Sequence, residues 1–179
     1  DQTTKVIWIS NYRPWKRIEL FFELAKALEK LECRFELVYG KTPDNYLKMI
    51  ISDSNDCTGN LEICGELSSH EAEKRIEQSS ILVNTSLPYE GFPNTFVQAW
   101  LRETPTVSLE IDPGDVINRE KIGYVSRDFK RFVSDVEYLI KNNNLRKEMG
   151  KRARQYAEKV HGLNGNRENY VRFFNSIVQ

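Results

Sequence analysis

The sequence is poor in the residues that metal and redox chemistry use: its 179 residues include two histidines and three cysteines. His70 and His161 stand far apart without ligand-type neighbours, which leaves a metal centre or a Ser-His triad little support. Cys33, Cys57 and Cys64 are odd in number and lack metal-site spacing, so we read them as reduced, buried thiols of a cytosolic protein. Net charge is also missing. The 26 basic and 26 acidic residues cancel, and no overall field favours nucleic acid or an anionic membrane. No apolar run approaches the roughly 20 residues of a membrane span, and none reads as a signal peptide. Gly-x-Gly-x-x-Gly and Walker loops are absent, which disfavours ordinary dinucleotide dehydrogenases and P-loop enzymes. The sequence opens on Asp1 rather than Met, which suggests a piece of something longer.

What is present alternates between two periodicities. Lys5–Ile9, Phe35–Tyr39, Leu61–Cys64, Ile81–Asn84, Thr104–Leu109 and Ile122–Val125 are short apolar runs suited to strands buried on both faces. Between them, Lys16–Leu31, Ser68–Gln78 and a segment from Pro93 carry helical spacing, and Asp44–Ile51 reads as a short helix. Ser68 and Glu71 have capping-box spacing. Asp128 caps a helix that Asn142–Asn144 breaks, and Leu145–Val160 forms the next helix. Residues 162–165 form a flexible break before a last amphipathic helix carrying Tyr170, Phe173, Phe174 and Ile177. The expectation is an α/β fold, Rossmann-like, with a mostly parallel six-stranded sheet between two helical layers. Residues 1–161 form the main domain and 162–179 the C-terminal helix.

Ligands of open α/β sheets bind at the carboxyl ends of the strands. Two turns that look chemical, residues 10–16 and 84–95, follow strands and should therefore share one edge of the sheet. In Glu90-Gly91-Phe92-Pro93-Asn94-Thr95, Gly91 is free to take a positive φ and Pro93 suits a first helical position. The amides of Asn94, Thr95 and Phe96 then face outward as an anion site. Arg13 and Lys16 could hold a diphosphate from the other side, or be solvated cations at a helix start. Asn94 and Gln98, four apart, share a helix face; Gln98 stands about 6 Å further along the axis, within reach of a ribose, or is a surface residue. Phe96, Val97, Trp100 and Leu101 occupy the opposite, core-facing side. Glu90 would repel an anion and so faces sugar hydroxyls or solvent. Trp8 and Trp100 read as core. Trp15 either shields a ligand or packs on the helix start, His70 is a surface residue, and His161 lies in a tail loop.

Glu90-Gly-Phe-Pro-Asn-Thr-Phe-Val-Gln98, followed by Glu103-Thr-Pro-Thr-Val107, resembles the donor-site signature of retaining glycosyltransferase family four, the group 1 glycosyltransferases of GT-B fold. Ser10-Asn-Tyr-Arg-Pro-Trp-Lys16 resembles the family's Gly-Arg-x-x-x-x-Lys phosphate turn, and Leu145–Arg154 its late helix. The resemblance implies the C-terminal, nucleotide-sugar-binding half of a two-domain hexosyltransferase, inactive alone. An absent N-terminal half would bind the acceptor, in polysaccharide or glycolipid synthesis. It implies a nucleoside-diphosphate sugar as substrate, no metal or other cofactor, no nucleic-acid partner, and a cytoplasmic location with peripheral contact at the inner membrane face through the other half.

By the same resemblance, Lys16, Glu90 and Arg13 are catalytic. Lys16 binds the diphosphate and stabilises the leaving group, and Glu90 lies near the donor sugar. Ser10, Asn11, Gly65, Glu66, Leu67, Gly91, Phe92, Pro93, Asn94, Thr95 and Gln98 contact the donor, with backbone at 65–67 meeting the base. The sequence departs from the family pattern at three places. Ser10 replaces the turn's glycine, Asn11 its arginine, and Gln98 the second glutamate, while Pro93 has no N–H to give. Arg13 substitutes for the arginine from a different backbone position. These departures keep open a second reading, a non-catalytic nucleotide-binding or interaction module on the same fold. A response-regulator-type domain lacks support, since no acidic cluster follows the first strand.

Overall fold

A computed structural model describes residues 3–40, 48–49 and 59–162. The helix expected at Asp44–Ile51, apart from Lys48 and Met49, which are helical, the thiol of Cys57 and the C-terminal amphipathic helix lie outside the described residues. The described strands are β1 (Thr4–Asn11), β2 (Cys33–Gly40), β3 (Leu61–Gly65), β4 (Ile81–Asn84), β5 (Thr106–Ser108) and β6 (Gly123–Val125). They form one sheet in the order β3-β2-β1-β4-β5-β6, with every pair parallel. The α-helices that lie wholly within the described residues are α1 (Glu19–Ala27), α2 (Ser69–Glu77), α3 (Asn94–Trp100), α4 (Val116–Arg119), α5 (Phe129–Lys141) and α6 (Asn143–His161).

Side chains alternate across each strand, so one strand feeds two cores. Val6, Trp8, Ile81 and Val83 point to the layer containing Phe21 and Leu24 of α1 and Phe132, Val136 and Leu139 of α5. Ile7 and Leu82 point to the other layer, with Ile76 of α2, Phe96, Ala99 and Trp100 of α3, and Ala153 and Ala157 of α6. That is the three-layer α/β/α arrangement expected of continuous apolar strands. The two buried tryptophans keep their N–H groups satisfied: Trp8 Nε1 donates to Thr85 Oγ1 (2.9 Å) and Trp100 Nε1 to Thr106 Oγ1 (3.0 Å).

Local chemistry sets the element ends. Ser68 and Glu71 form the expected reciprocal capping box, and Asp128 accepts from the amide of Arg131 (3.0 Å) at the start of α5. The expected helix from Lys16 begins later. Pro14–Lys16 is a single 3-10 turn, and Arg17, at φ 49° and ψ 55°, breaks the helical path before α1. Leu101, expected in the core, is exposed at the end of α3, where Ala99 takes the core-facing position instead. Asn142 alone separates α5 from α6. His161 ends α6 rather than lying in a loop, and it packs edge-on to Phe92 and Tyr156, where burial pushes its pKa down. Cys33 is buried and Cys64 half-buried; burial pushes both thiols up to about 11, so neither is a ready nucleophile.

Candidate functional site

The strand order reverses direction between β1 and β4, and at such a switch point the loops leaving adjacent strands part and open a crevice. A cleft of about 940 Å³ lies here. Its walls include Ser10, Asn11, Arg13 and Lys16 from the β1 loop, Leu67 from the loop after β3, and Glu90 to Thr95 plus Gln98 from the β4 loop and α3. The two turns singled out in the sequence thus meet on one rim. Gly65 and Glu66 are not on this wall: Gly65 ends β3 with φ +70°, and Glu66 is exposed beside it.

The turns are fastened to each other. The backbone N–H of Leu87 donates to the carbonyl of Trp15 (2.9 Å), and Thr85 Oγ1 donates to the carbonyl of Lys16 (2.5 Å). The Arg17 guanidinium donates from Nε to Thr85 O (2.8 Å) and from an NH₂ group to Glu110 Oε1 (2.6 Å). Spacing did not reveal Arg17, Thr85 or Glu110 as parts of this site. Their contacts join positions far apart in sequence, and no periodicity encodes that.

Lys16 Nζ forms an ion pair with Glu90 Oε1 inside the cleft, with both side chains largely buried. Lys16 and Glu90 thus face each other rather than different parts of a ligand, a pairing that spacing does not reveal. Burial, and secondarily the positive charge of Arg13, push Lys16 down from its ordinary 10.5 to about 8. The Glu90 carboxylate acts in the opposite direction, favouring the ammonium form. Arg13 is exposed and donates to the carbonyl of Tyr12 (3.0 Å), so its guanidinium lies along the mouth of the cleft.

The entry to α3 differs in detail from expectation. Pro93 is the N-cap, with ψ 122°, and Asn94 the first helical residue. A proline N-cap offers no side-chain oxygen, and no side chain caps this helix. Gly91 does not take a positive φ, and a Cβ there would meet nothing within 4 Å, so the turn does not require glycine. The Phe96 amide is occupied by the carbonyl of Pro93 (3.0 Å). The amides of Asn94 and Thr95, at the first two positions, have no intrahelical acceptor by construction. Gln98 lies one turn along on the same wall, and its carbonyl accepts from Arg102 (3.1 Å). Trp15 and Tyr89 stand at the mouth with ring centroids 6.4 Å apart. Among the described residues, no group of three or more His, Cys, Asp or Glu side chains could hold a metal ion.

An all-parallel sheet in this order, with a cation–carboxylate pair and an uncapped helix start at its switch point, is a Rossmann-like α/β fold with its crevice where such sheets bind ligands. The sequence matches the family model for glycosyl transferases group 1 over residues 3–142, and the chain belongs to that family. No curated protein matches it. Among solved structures it is similar to a TarM variant from S. aureus, described in complex with fondaparinux, alpha-GlcNAc-glycerol and UDP. The TM-score is 0.80 at 23% identity, over 97% of this chain and 36% of that one. A glycosyltransferase from Rickettsia africae gives 0.82 at 16% identity, over 100% and 49%. HepE from Anabaena, in complex with UDP, gives 0.81 at 14% identity, over 98% and 49%. The chain therefore spans about a third to a half of the length of the structures it resembles. Among the described residues no helix is long and apolar enough to cross a membrane.

Proposed function

We propose that this chain is the donor-binding half of a retaining glycosyltransferase, and that its switch-point cleft holds a nucleoside-diphosphate sugar. The observation that carries the reading is the convergence of Lys16, Arg13 and Glu90, from loops after two adjacent strands, on one cleft. The diphosphate would lie against Lys16 and Arg13, with the amides of Asn94 and Thr95 on its far side. The nucleoside would extend toward Leu67 and Gln98, and the hexose toward Glu90. As the bond from the sugar's anomeric carbon to the diphosphate oxygen breaks, negative charge builds on the leaving diphosphate. Lys16 and Arg13 would stabilise that charge as preplaced cations. Glu90 would accept hydrogen bonds from sugar hydroxyls. The acceptor and the rest of the cleft would come from a second, N-terminal domain on the cytoplasmic face of a membrane, and no metal would take part.

UDP complexes among the structural relatives support a uridine donor as the first to try. The test is calorimetric titration of the chain with UDP-, GDP- and ADP-sugars, followed by transfer assays on the full-length protein. Lys16→Ala should lower kcat about 10²- to 10³-fold, the range for losing one such charge-stabilising donor. Unchanged turnover would remove Lys16 from the mechanism. Asn11 and Gln98, which carry no charge at the two departures from the family pattern, favour the alternative of a binding module without transfer. Donor binding with no sugar transfer or donor hydrolysis in the full-length protein would select that alternative.

A further inference from the structure

Arg17 does not line the cleft, yet its side chain contacts the loop that carries Glu90. Its backbone lies in the left-handed region, φ 49° and ψ 55°, where a residue with a Cβ is disfavoured and glycine is the usual occupant. An arginine held there needs compensation, and the side chain supplies it. Its Nε donates to Thr85 O (2.8 Å), and one terminal nitrogen reaches Ser86 O (3.4 Å) and Glu110 Oε1 (2.6 Å). Thr85 and Ser86 are almost wholly buried, at 0% and 1% exposure, so these carbonyls have little solvent to turn to. Glu110 follows β5, so the guanidinium ties together chain segments leaving three adjacent strands, β1, β4 and β5.

The contact reaches both members of the cleft ion pair by short covalent paths. Lys16 is the residue before Arg17, and its carbonyl is held by Thr85 Oγ1 (2.5 Å). Four residues beyond Ser86, the amide of Glu90 donates to Leu87 O (3.1 Å), and the Leu87 amide in turn donates to Trp15 O (2.9 Å). A shift of the Arg17 clamp therefore moves both loops relative to each other.

We propose that Arg17 is a positioning residue: its guanidinium locks the loop after β1 onto the loop after β4 and so sets Lys16 against Glu90 across the cleft. The consequence for donor binding rests on the function proposed above; the geometry of the ion pair does not.

The test uses Arg17→Gly, which removes the guanidinium and relieves the left-handed backbone in one step, so that the fold is least disturbed. Lys16 Nζ is followed by NMR in lysine-labelled protein across pH, with Lys16→Arg identifying its signal. In the parent protein the ammonium titrates near 8, under burial and the charge of Arg13, with Glu90 opposing. With the clamp gone the loops part, Lys16 gains water, and its titration moves up toward 10.5. Arg17→Lys keeps the charge but not the planar fork, and serves the same comparison should the glycine variant fail to fold; it shifts in the same direction. Glu110→Gln, which keeps the clamp's backbone contacts, shifts less.

UDP affinity, read in parallel at a temperature where the variant is folded, falls about tenfold in Arg17→Gly. An unmoved Lys16 titration in the folded Arg17 variants overturns the proposal, whatever the nucleotide result. A moved titration in a protein that binds no nucleotide sustains the clamp and removes the donor reading; donor binding with an unmoved titration does the reverse.

Discussion

Lys16 gives the donor reading a pH signature with a definite sign. Its ammonium is pushed down to about 8 by burial and by Arg13, from an ordinary value of 10.5. Only the charged form attracts a diphosphate. If binding requires it, the apparent dissociation constant scales with the reciprocal of the protonated fraction. That fraction is about nine-tenths near pH 7 and about one-tenth near pH 9, so affinity should fall about tenfold between them. Folding stability should move the other way. The native protein holds Lys16 neutral where the unfolded chain still protonates it, so the unfolded state binds more protons between about pH 8 and 10.5. Stability then rises with pH across that window. Affinity falling while the fold strengthens separates this effect from general alkaline damage, which would weaken both. Calorimetry with UDP-sugar across pH gives the first curve, and urea denaturation the second. Lys16→Arg, charged throughout, should flatten the affinity curve, and Glu90→Gln should move its midpoint to lower pH by removing the opposing carboxylate. An affinity that does not change from about pH 7 to about pH 9 in the parent protein would show that the Lys16 charge takes no part in binding.

Three further outcomes follow from the packing. A Cβ on Gly150 of α6 would lie 2.0 Å from the carbonyl oxygen of Glu103, so Gly150→Ala should destabilise by about 1–3 kcal/mol in urea denaturation. Helix propensity alone predicts a gain of about 1 kcal/mol, so a stabilised variant would discount the clash. The buried Glu36 carboxylate on β2 lies 3.1 Å from Lys5 Nζ and 3.3 Å from the Arg75 guanidinium. Arg75→Ala removes one of its two cations and should cost about 2 kcal/mol, below the usual 3–5 for a buried pair because Lys5 remains; an unchanged midpoint would show that the charge is not desolvated. Trp15 is 36% exposed at the cleft while Trp8 and Trp100 are buried, so a ligand in the cleft should reduce acrylamide quenching of tryptophan emission, and Trp15→Phe should abolish that reduction. Undiminished quenching at saturating ligand would place the ligand elsewhere.

Much of the fold was legible because burial on both faces of a parallel sheet writes itself as short apolar runs. Ile81–Asn84 emerged with its observed limits, and the capping box at Ser68 and Glu71 marked the start of α2. The meeting of the two loops was legible too, since strands in parallel crossover units bring their following turns to one edge. The failures share a cause. Arg17 looks like any basic residue in a polar turn; only the positions of Thr85, Ser86 and Glu110 reveal why it can sit at φ 49° and end the 3-10 turn. Gly91 and Pro93 suggested a left-handed turn and a first helical proline, whereas the observed path takes neither, because the turn is set by contacts from Leu87 and Trp15. Local propensity supplies candidates, and tertiary contacts choose among them.

The Lys16–Glu90 pair also answers an objection that the sequence raised against a phosphate site. A carboxylate beside an anion is unfavourable if it stays charged and unpaired, but Glu90 is paired with Lys16. On the donor reading, an arriving diphosphate would compete for Lys16 with two charges against one, and Arg13 at the mouth would help it do so. Glu90 would then need a new partner, and the hydroxyls of the sugar attached to that same diphosphate are the nearest donors the ligand brings. A free diphosphate brings none. Exchange of partners would therefore favour the intact sugar nucleotide over the bare nucleotide by more than the contact area of the sugar, and Glu90→Gln, compared at a pH low enough to keep Lys16 charged in both proteins, should shrink that preference while leaving the affinity for UDP equal or higher.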